Sequence, residues 1–235
     1  MTYFYPMKIL VTAATTLEIK PFLQYVDQHN RSLKAANCDV DVLIAGIGMM
    51  HTAFHLGRHL LIHKPDLAIQ AGIGGSFRRD WELGQVVLVK QEYLADLGAE
   101  DNDQFKDLFD IQLWQPSQPP FTGNCLVNTF TGVPELPFLP TATGVTVNLV
   151  SGSAPTIRKL TEKYHPDVES MEGAAFHYAC LLEEVPFLQL RSISNYVEIR
   201  DKSKWNIPLA VKALNEELIK TVHAVAGLSA ATIKF

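Results

Sequence analysis

The chain has 235 residues, 47% of them hydrophobic, with 20 Lys+Arg against 25 Asp+Glu and a formal charge of −5. That length and apolar fraction suit one globular domain over residues 1–235 and exclude a disordered chain. The acidic balance, without any polybasic run, excludes a nucleic-acid coat, and no apolar run reaches membrane-spanning length.

Met1 to Pro6 lacks the basic stretch and cleavage site of a signal peptide. Met7-Lys-Ile-Leu-Val-Thr-Ala-Ala14 predicts the first strand. Thr15 to Phe22 then opens a helix, with Thr as its N-cap and Glu18 in the first turn; Pro21 fits if the helix begins late. Asp39 to Gly46 predicts a strand and Met49 to His63 a helix. Pro65 to Gly72 and Gly84 to Tyr93 predict two more strands, and Thr146 to Ser151 and Pro186 to Ser194 are further apolar runs. Pro155 to His165, Met171 to Glu184 and Ile207 to Val225 predict helices. This alternation predicts an α/β fold with a central mixed, largely parallel twisted sheet flanked by helices. Between Trp114 and Pro140, Pro116, Pro119, Pro120, Pro134, Pro137 and Pro140 predict an irregular segment, either a binding element or a plain surface loop.

Two signals carry little. Ala45-Gly-Ile-Gly48 follows a strand and opens a helix, yet His51 stands where a dinucleotide loop needs Gly or Ala. A tight strand-to-helix turn is the better reading. His51, His55, His59 and His63 recur every four residues with no carboxylate between them, so a partly exposed helix face is expected and no metal. Cys38, Cys125 and Cys180 are far apart with no CxxC, which fits a reducing, cytoplasmic setting.

Three segments concentrate polar chemistry at the carboxyl ends of predicted strands, where open α/β sheets bind ligands. They are Thr12 to Glu18, Val168 to Phe176 and Leu190 to Tyr196. Between them, Gln70 to Phe77 reads as a glycine-rich strand exit, with Gly72 and Gly74 allowing a ligand close to the backbone.

Met171-Glu172-Gly173-Ala174-Ala175, followed by Arg191-Ser192-Ile193-Ser194-Asn195, resembles the purine nucleoside phosphorylase and nucleosidase family over nearly the whole chain. Asp96 to Asp101 and Trp205-Asn-Ile207 make it most similar to the futalosine-cleaving branch. The resemblance implies a nucleoside phosphorylase-like fold and hydrolysis of the N-glycosidic bond of futalosine, a carboxylated nucleoside of menaquinone biosynthesis. The products would be hypoxanthine and dehypoxanthine futalosine, with no cofactor and no metal. It implies that Glu18 activates water, Glu172 grips the ribose hydroxyls, Arg191 orients both, and Met171 packs on the ribose. Asn195 would face the purine: an amide donates to O6 and accepts from protonated N7, where an ionised Asp repels O6. Gly72, Gly74, Phe77 and Ser194 complete the expected binding site.

Ile73 and Pro155 depart from the methylthioadenosine nucleosidases, which leaves purine stacking to Phe77, Phe121 or Tyr196. Other purine nucleosides, phosphorolysis, or binding without catalysis remain alternatives. The substrate carboxylate is expected to meet a cation among Arg78, Arg79, Arg200, Lys202 and Lys204. The resemblance also implies a homo-oligomer, with Phe105, Phe109 and Phe121 as interface candidates. No nucleic-acid or membrane partner is expected.

Overall fold

The computed structural model describes residues 6–35, 37–102, 104–130 and 139–226. The expectations for Met1 to Tyr5, Pro134 and Pro137 lie outside the described residues. The chain begins with β1 (Met7–Ala13), α1 (Thr16–Ala35), β2 (Cys38–Ile44), α2 (Met49–Ile62) and β3 (Leu67–Ser76). β4 (Val86–Leu94), β5 (Gly98–Asp101), β6 (Gln104–Asp107), β7 (Leu126–Val127) and β8 (Thr141–Thr146) follow. The last part is α3 (Ala154–Tyr164), β9 (Val168–Ser170), α4 (Gly173–Leu182), β10 (Phe187–Tyr196) and α5 (Ile207–Ala226).

Among the described residues eight strands form one mixed sheet. Five of its pairings are parallel and three antiparallel, so it is largely parallel, as expected. Part of it closes on itself: β3 pairs β10, β10 pairs β4, β4 pairs β8, β8 pairs β9, and β9 returns to β3. β1 and β2 extend the sheet from β3.

The strand period of two sorts the core into layers. Ile9 and Val11 face one side, packed with Phe22 of α1 and Leu214, Leu218 and Val222 of α5. Leu10, between them, faces the other side with Leu56 and Leu60 of α2 and Phe176 of α4. Each such fully buried side chain contributes about 1.5–3 kcal/mol. Among the described residues no helix is long and apolar enough to cross a membrane, and Cys38, Cys125 and Cys180 are free thiols.

Several expectations are corrected. Gln70 to Gly75 is not a strand exit, because β3 runs on to Ser76, paired with β10 and β9. The strand near Thr146 ends at that residue rather than starting there; its Thr-Ala-Thr-Gly start carries little apolar signal. The β5–β6 hairpin is charged and largely exposed, so it leaves no hydrophobic pattern to read. The proline-rich segment is irregular where described, apart from β7 on the edge of β4. Phe121 and Phe109 are spent inside the chain, against each other, Trp114 and Tyr178, and Phe105 lies under the Lys159 ammonium at 3.9 Å. Exposed apolar side chains include Ile47, Met50, Phe54, Leu97 and Leu113.

Candidate active site

A cavity of about 340 Å³ opens at the carboxyl ends of β1, β3, β9 and β10. Of the expected site residues, Glu18, Gly74, Met171, Glu172, Ser194 and Asn195 line it. Among the described residues, those lining it include no lysine or arginine.

Glu18 owes its place to a broken helix. Pro21 removes a backbone donor, and Ile19 leaves helical geometry at φ −121°, ψ 19°. The Glu18 carboxylate reaches back to the Thr15 N–H at 2.9 Å, half of a capping box, and accepts from the Thr15 hydroxyl at 3.0 Å. Its other oxygen accepts from Ile73 N–H at 3.2 Å. Burial raises its pKa above the ordinary value, Arg191 pulls it back in part, and the nearby Glu172 adds to the rise.

Glu172 caps the N-terminus of α4, where the helix dipole favours an anion. One oxygen accepts from Gly48 N–H at 3.0 Å and the other from Arg191 Nη1 at 3.3 Å. The glycines at 46 and 48 take φ of 95° and 87°, a conformation that suits a residue without a side chain. So the Ala45 to Gly48 turn presents its last N–H to a carboxylate of the cavity rather than to a dinucleotide.

Arg191 stands behind the cavity wall at 1% exposure. It donates to Gln70 Oε1 at 2.9 Å, and to Gln189 Oε1 and the Ile73 carbonyl at 3.3 Å. The Ile73 peptide therefore serves Glu18 with its N–H and Arg191 with its C=O. Register explains Gly72, which lies opposite Arg191 on the neighbouring strand. A Cβ there would overlap the guanidinium, so Gly72 makes room for Arg191 and does not itself line the cavity. At Gly74 a Cβ would come 2.9 Å from Val168 and 3.0 Å from the Glu169 carbonyl.

Asn195 sits opposite Gly75 after an irregularity in β10. Its Oδ1 accepts from the Ser194 hydroxyl at 2.8 Å and its Nδ2 donates to the Tyr196 carbonyl at 3.0 Å, which fixes the amide. Glu169 and Ser151 meet beside this end: Glu169 Oε1 accepts from Ser151 N–H at 3.0 Å, while Glu169 Oε2 and Ser151 Oγ are buried and find no hydrogen-bond partner among the described residues.

Three aromatic expectations fail on placement. Phe77 packs beside Ala95, Val145 and Leu160; Tyr196 donates its hydroxyl to the Trp81 carbonyl; Phe121 is in the cluster described above. None lines the cavity, and among the described residues the aromatic one that does is Trp205. Reading the sequence also missed Gln70 and Gln189, register partners on adjacent strands. Their signal was a glutamine inside an otherwise apolar strand, where burial demands a polar partner. The four-residue histidine series forms no metal cluster among the described residues; His59 pairs with Asp41 at 3.4 Å instead.

A charged wall thus holds two carboxylates in fixed orientations, around one buried guanidinium, beside an oriented amide. Comparison with known proteins gives this arrangement a lineage. The model of the phosphorylase superfamily matches residues 8–229. A futalosine hydrolase of Streptomyces coelicolor is 33% identical over 196 residues, 77% of this chain and 77% of its own length. A futalosine hydrolase of Thermus thermophilus is 31% identical over 179 residues, 73% of this chain and 76% of its own. In fold, the chain is similar to a methylthioadenosine/adenosylhomocysteine nucleosidase of Colwellia psychrerythraea crystallised with adenine. That TM-score is 0.76 at 16% identity, over 96% of this chain and 98% of that one. The chain belongs to the phosphorylase superfamily and, within it, to the futalosine hydrolase family.

Proposed function

We propose that this protein is an N-glycosyl hydrolase that cleaves futalosine to hypoxanthine and dehypoxanthine futalosine, a step of menaquinone biosynthesis in the cytoplasm. The observation that carries this reading is the pair Glu18 and Glu172 on the wall of a cavity that also contains Asn195, with Arg191 buried behind them.

Breaking a ribosyl C–N bond builds positive charge on the sugar and negative charge on the purine. Glu18, ionised, takes a proton from water as it attacks the sugar carbon. Glu172 accepts hydrogen bonds from the ribose hydroxyls and stabilises the sugar's positive charge. Arg191 holds Glu172 and, through the Ile73 peptide, Glu18. Asn195 presents an amide to O6 and N7 of the departing base, which selects a 6-oxopurine over adenine. Met171 supports the ribose. Leu17, Ile47, Ile207 and Val211 give the cavity an apolar wall that suits the aromatic ketone of futalosine.

Water is favoured over phosphate by charge. The cavity wall presents carboxylates, while Arg78 pairs with Asp80 and Asp167, and Arg79 with Glu198. A phosphate would need those cations free. The protein works as a homo-oligomer in this reading. The exposed apolar Ile47, at the cavity, continues into Met50 and Phe54 of α2, a face that a second subunit would cover. Incubation with futalosine in phosphate-free buffer, followed by chromatography, tests the activity. Hypoxanthine release by the wild type, reduced at least about a hundredfold in Glu18→Gln, supports it. Release of adenine from methylthioadenosine, with futalosine untouched, overturns it.

A further inference from the structure

A third acid lies behind the reacting groups. Glu92 of β4 is 1% exposed and does not line the cavity. Its carboxyl occupies space left by Gly144 and Gly173, where a Cβ at either position would overlap it. Two chains of hydrogen bonds leave this one group. Glu92 Oε1 accepts from Gln189 Nε2 at 2.9 Å, and Gln189 Oε1 accepts from Arg191 Nε and Nη2, each at 3.3 Å. On the other side, Glu92 Oε2 accepts from the Thr146 hydroxyl at 2.9 Å. That same hydroxyl accepts from the Ala174 N–H at 2.7 Å, in the first turn of the helix that Glu172 caps.

We propose that Glu92 is a positioning residue for the nucleosidase site, acting on Arg191 through Gln189 and on the Glu172 helix start through Thr146. One carboxyl thereby fixes both the guanidinium that binds Glu172 and the backbone that carries it. The inference rests on the nucleosidase reading of the site. Burial of an acid among such groups is costly unless its polar atoms are satisfied, and both oxygens of Glu92 are. Desolvation also pushes its pKa up to about 8 against the pull of Arg191 and Thr146, with Glu172 adding to the rise. In Glu92→Gln the amide oxygen accepts from Gln189 Nε2 and the amide nitrogen donates to the Thr146 hydroxyl oxygen, so both connections persist.

The test uses Glu92→Gln, Glu92→Leu, Gln189→Leu and the double Leu variant of the whole chain. Glu92→Gln keeps futalosine turnover within about threefold of wild type, while Glu92→Leu and Gln189→Leu lower kcat at least about tenfold with KM little changed. Because Glu92→Leu already breaks the Gln189 branch, the double variant is no slower than the slower single one. If Glu92→Leu does not fold, Gln189→Leu carries the kinetic test. The Arg191 Nε–Hε resonance gives a reading that needs no turnover. It shifts and exchanges faster with solvent in the Leu variants and stays in place in Glu92→Gln. Wild-type kcat in a folded Leu variant, additive losses in the double variant, or an unmoved Arg191 resonance overturns the proposal. A wild type that leaves futalosine uncut instead overturns the nucleosidase reading, and the resonance then decides the Glu92 relay by itself.

Discussion

The Asn215 side chain on α5 donates to the main-chain carbonyl of Glu18 at 2.8 Å, across 197 residues of sequence. Its Oδ1 accepts from Phe22 N–H at 2.9 Å. In an unbroken helix that N–H and that C=O would bond to each other. The amide of Asn215 is inserted between them and completes the kink that presents Glu18. Asn215→Leu leaves both buried groups unpaired, so stability falls by about 1–3 kcal/mol, read by denaturant unfolding. Turnover of the remaining folded enzyme falls with it, because the Glu18 carboxylate loses its fixed position. Unchanged stability and kcat would show that the kink holds without Asn215.

Gly72 is the counterpart on the sheet side. An added Cβ would overlap the Arg191 guanidinium and sit 3.4 Å from Glu18 Oε1. Gly72→Ala is therefore expected to cost about 1–3 kcal/mol through overpacking and to cut kcat at least about tenfold by displacing Arg191. At Gly48, by contrast, an added Cβ meets open space and φ is the obstacle. Steady-state kinetics on folded Gly72→Ala checks the difference; wild-type kcat there would mean that Arg191 has more room than the register gives it.

What the sequence discloses of this site is its local part. Thr15-x-x-Glu18 is a capping pattern, and the Met171 to Ala175 and Arg191 to Asn195 motifs are contiguous, so their residues could be named and were found on or behind one cavity wall. The alternation of strand and helix likewise follows from hydrophobic period. Asn215, Gln70, Gln189 and Glu92 were not legible. Gln70 and Gln189 are single polar residues in apolar runs, whereas Glu92 follows Lys90 and Gln91 and Asn215 precedes Glu216 and Glu217, so neither stands out; each of the four acquires meaning only from a partner on another element. Gln70 to Gly75 was misread for a related reason. Glycines weaken a strand unless something must approach its backbone, and here Arg191 and Asn195 do so from β10. Phe77 has the chemical type that stacks on a purine, yet its side chain packs against Val145 and Leu160 instead.

The acidic limb of the pH profile follows from Glu18. In its proposed role as base it must be ionised. Burial is the largest influence on its pKa and raises it, so activity falls with decreasing pH through a value above the ordinary 4.5. Arg191 acts in the opposite sense, and removing its charge raises Glu18 further. In Arg191→Met the limb of kcat moves to higher pH, on top of a lower plateau. A rate profile from pH 4 to 9 at saturating futalosine decides this, and a limb that moves to lower pH would detach Glu18 from the role of base.

Selection for a carboxylated substrate needs a cation in a protein of net charge −5. Arg79 and Lys204 share Glu198, at 2.8 and 3.2 Å, and Arg78 is engaged by Asp80 and Asp167. Arg200 is placed differently. Its guanidinium lies 5.4 Å from the ring centre of Trp205, which lines the cavity, and its N–H donates to the Gly152 carbonyl at 3.4 Å. Stacking on Trp205 holds the charge near the mouth without consuming its hydrogen-bond donors. An exposed pair of this kind is worth up to about 1 kcal/mol. Arg200→Ala should therefore raise KM for futalosine about fivefold and leave inosine, which lacks the carboxylate, unaffected. Added salt should raise KM for futalosine in the wild type and much less in Arg200→Ala, because the lost interaction is the one that salt screens. Equal KM values for both proteins on futalosine would move the carboxylate site elsewhere, with Lys202 the next residue to replace.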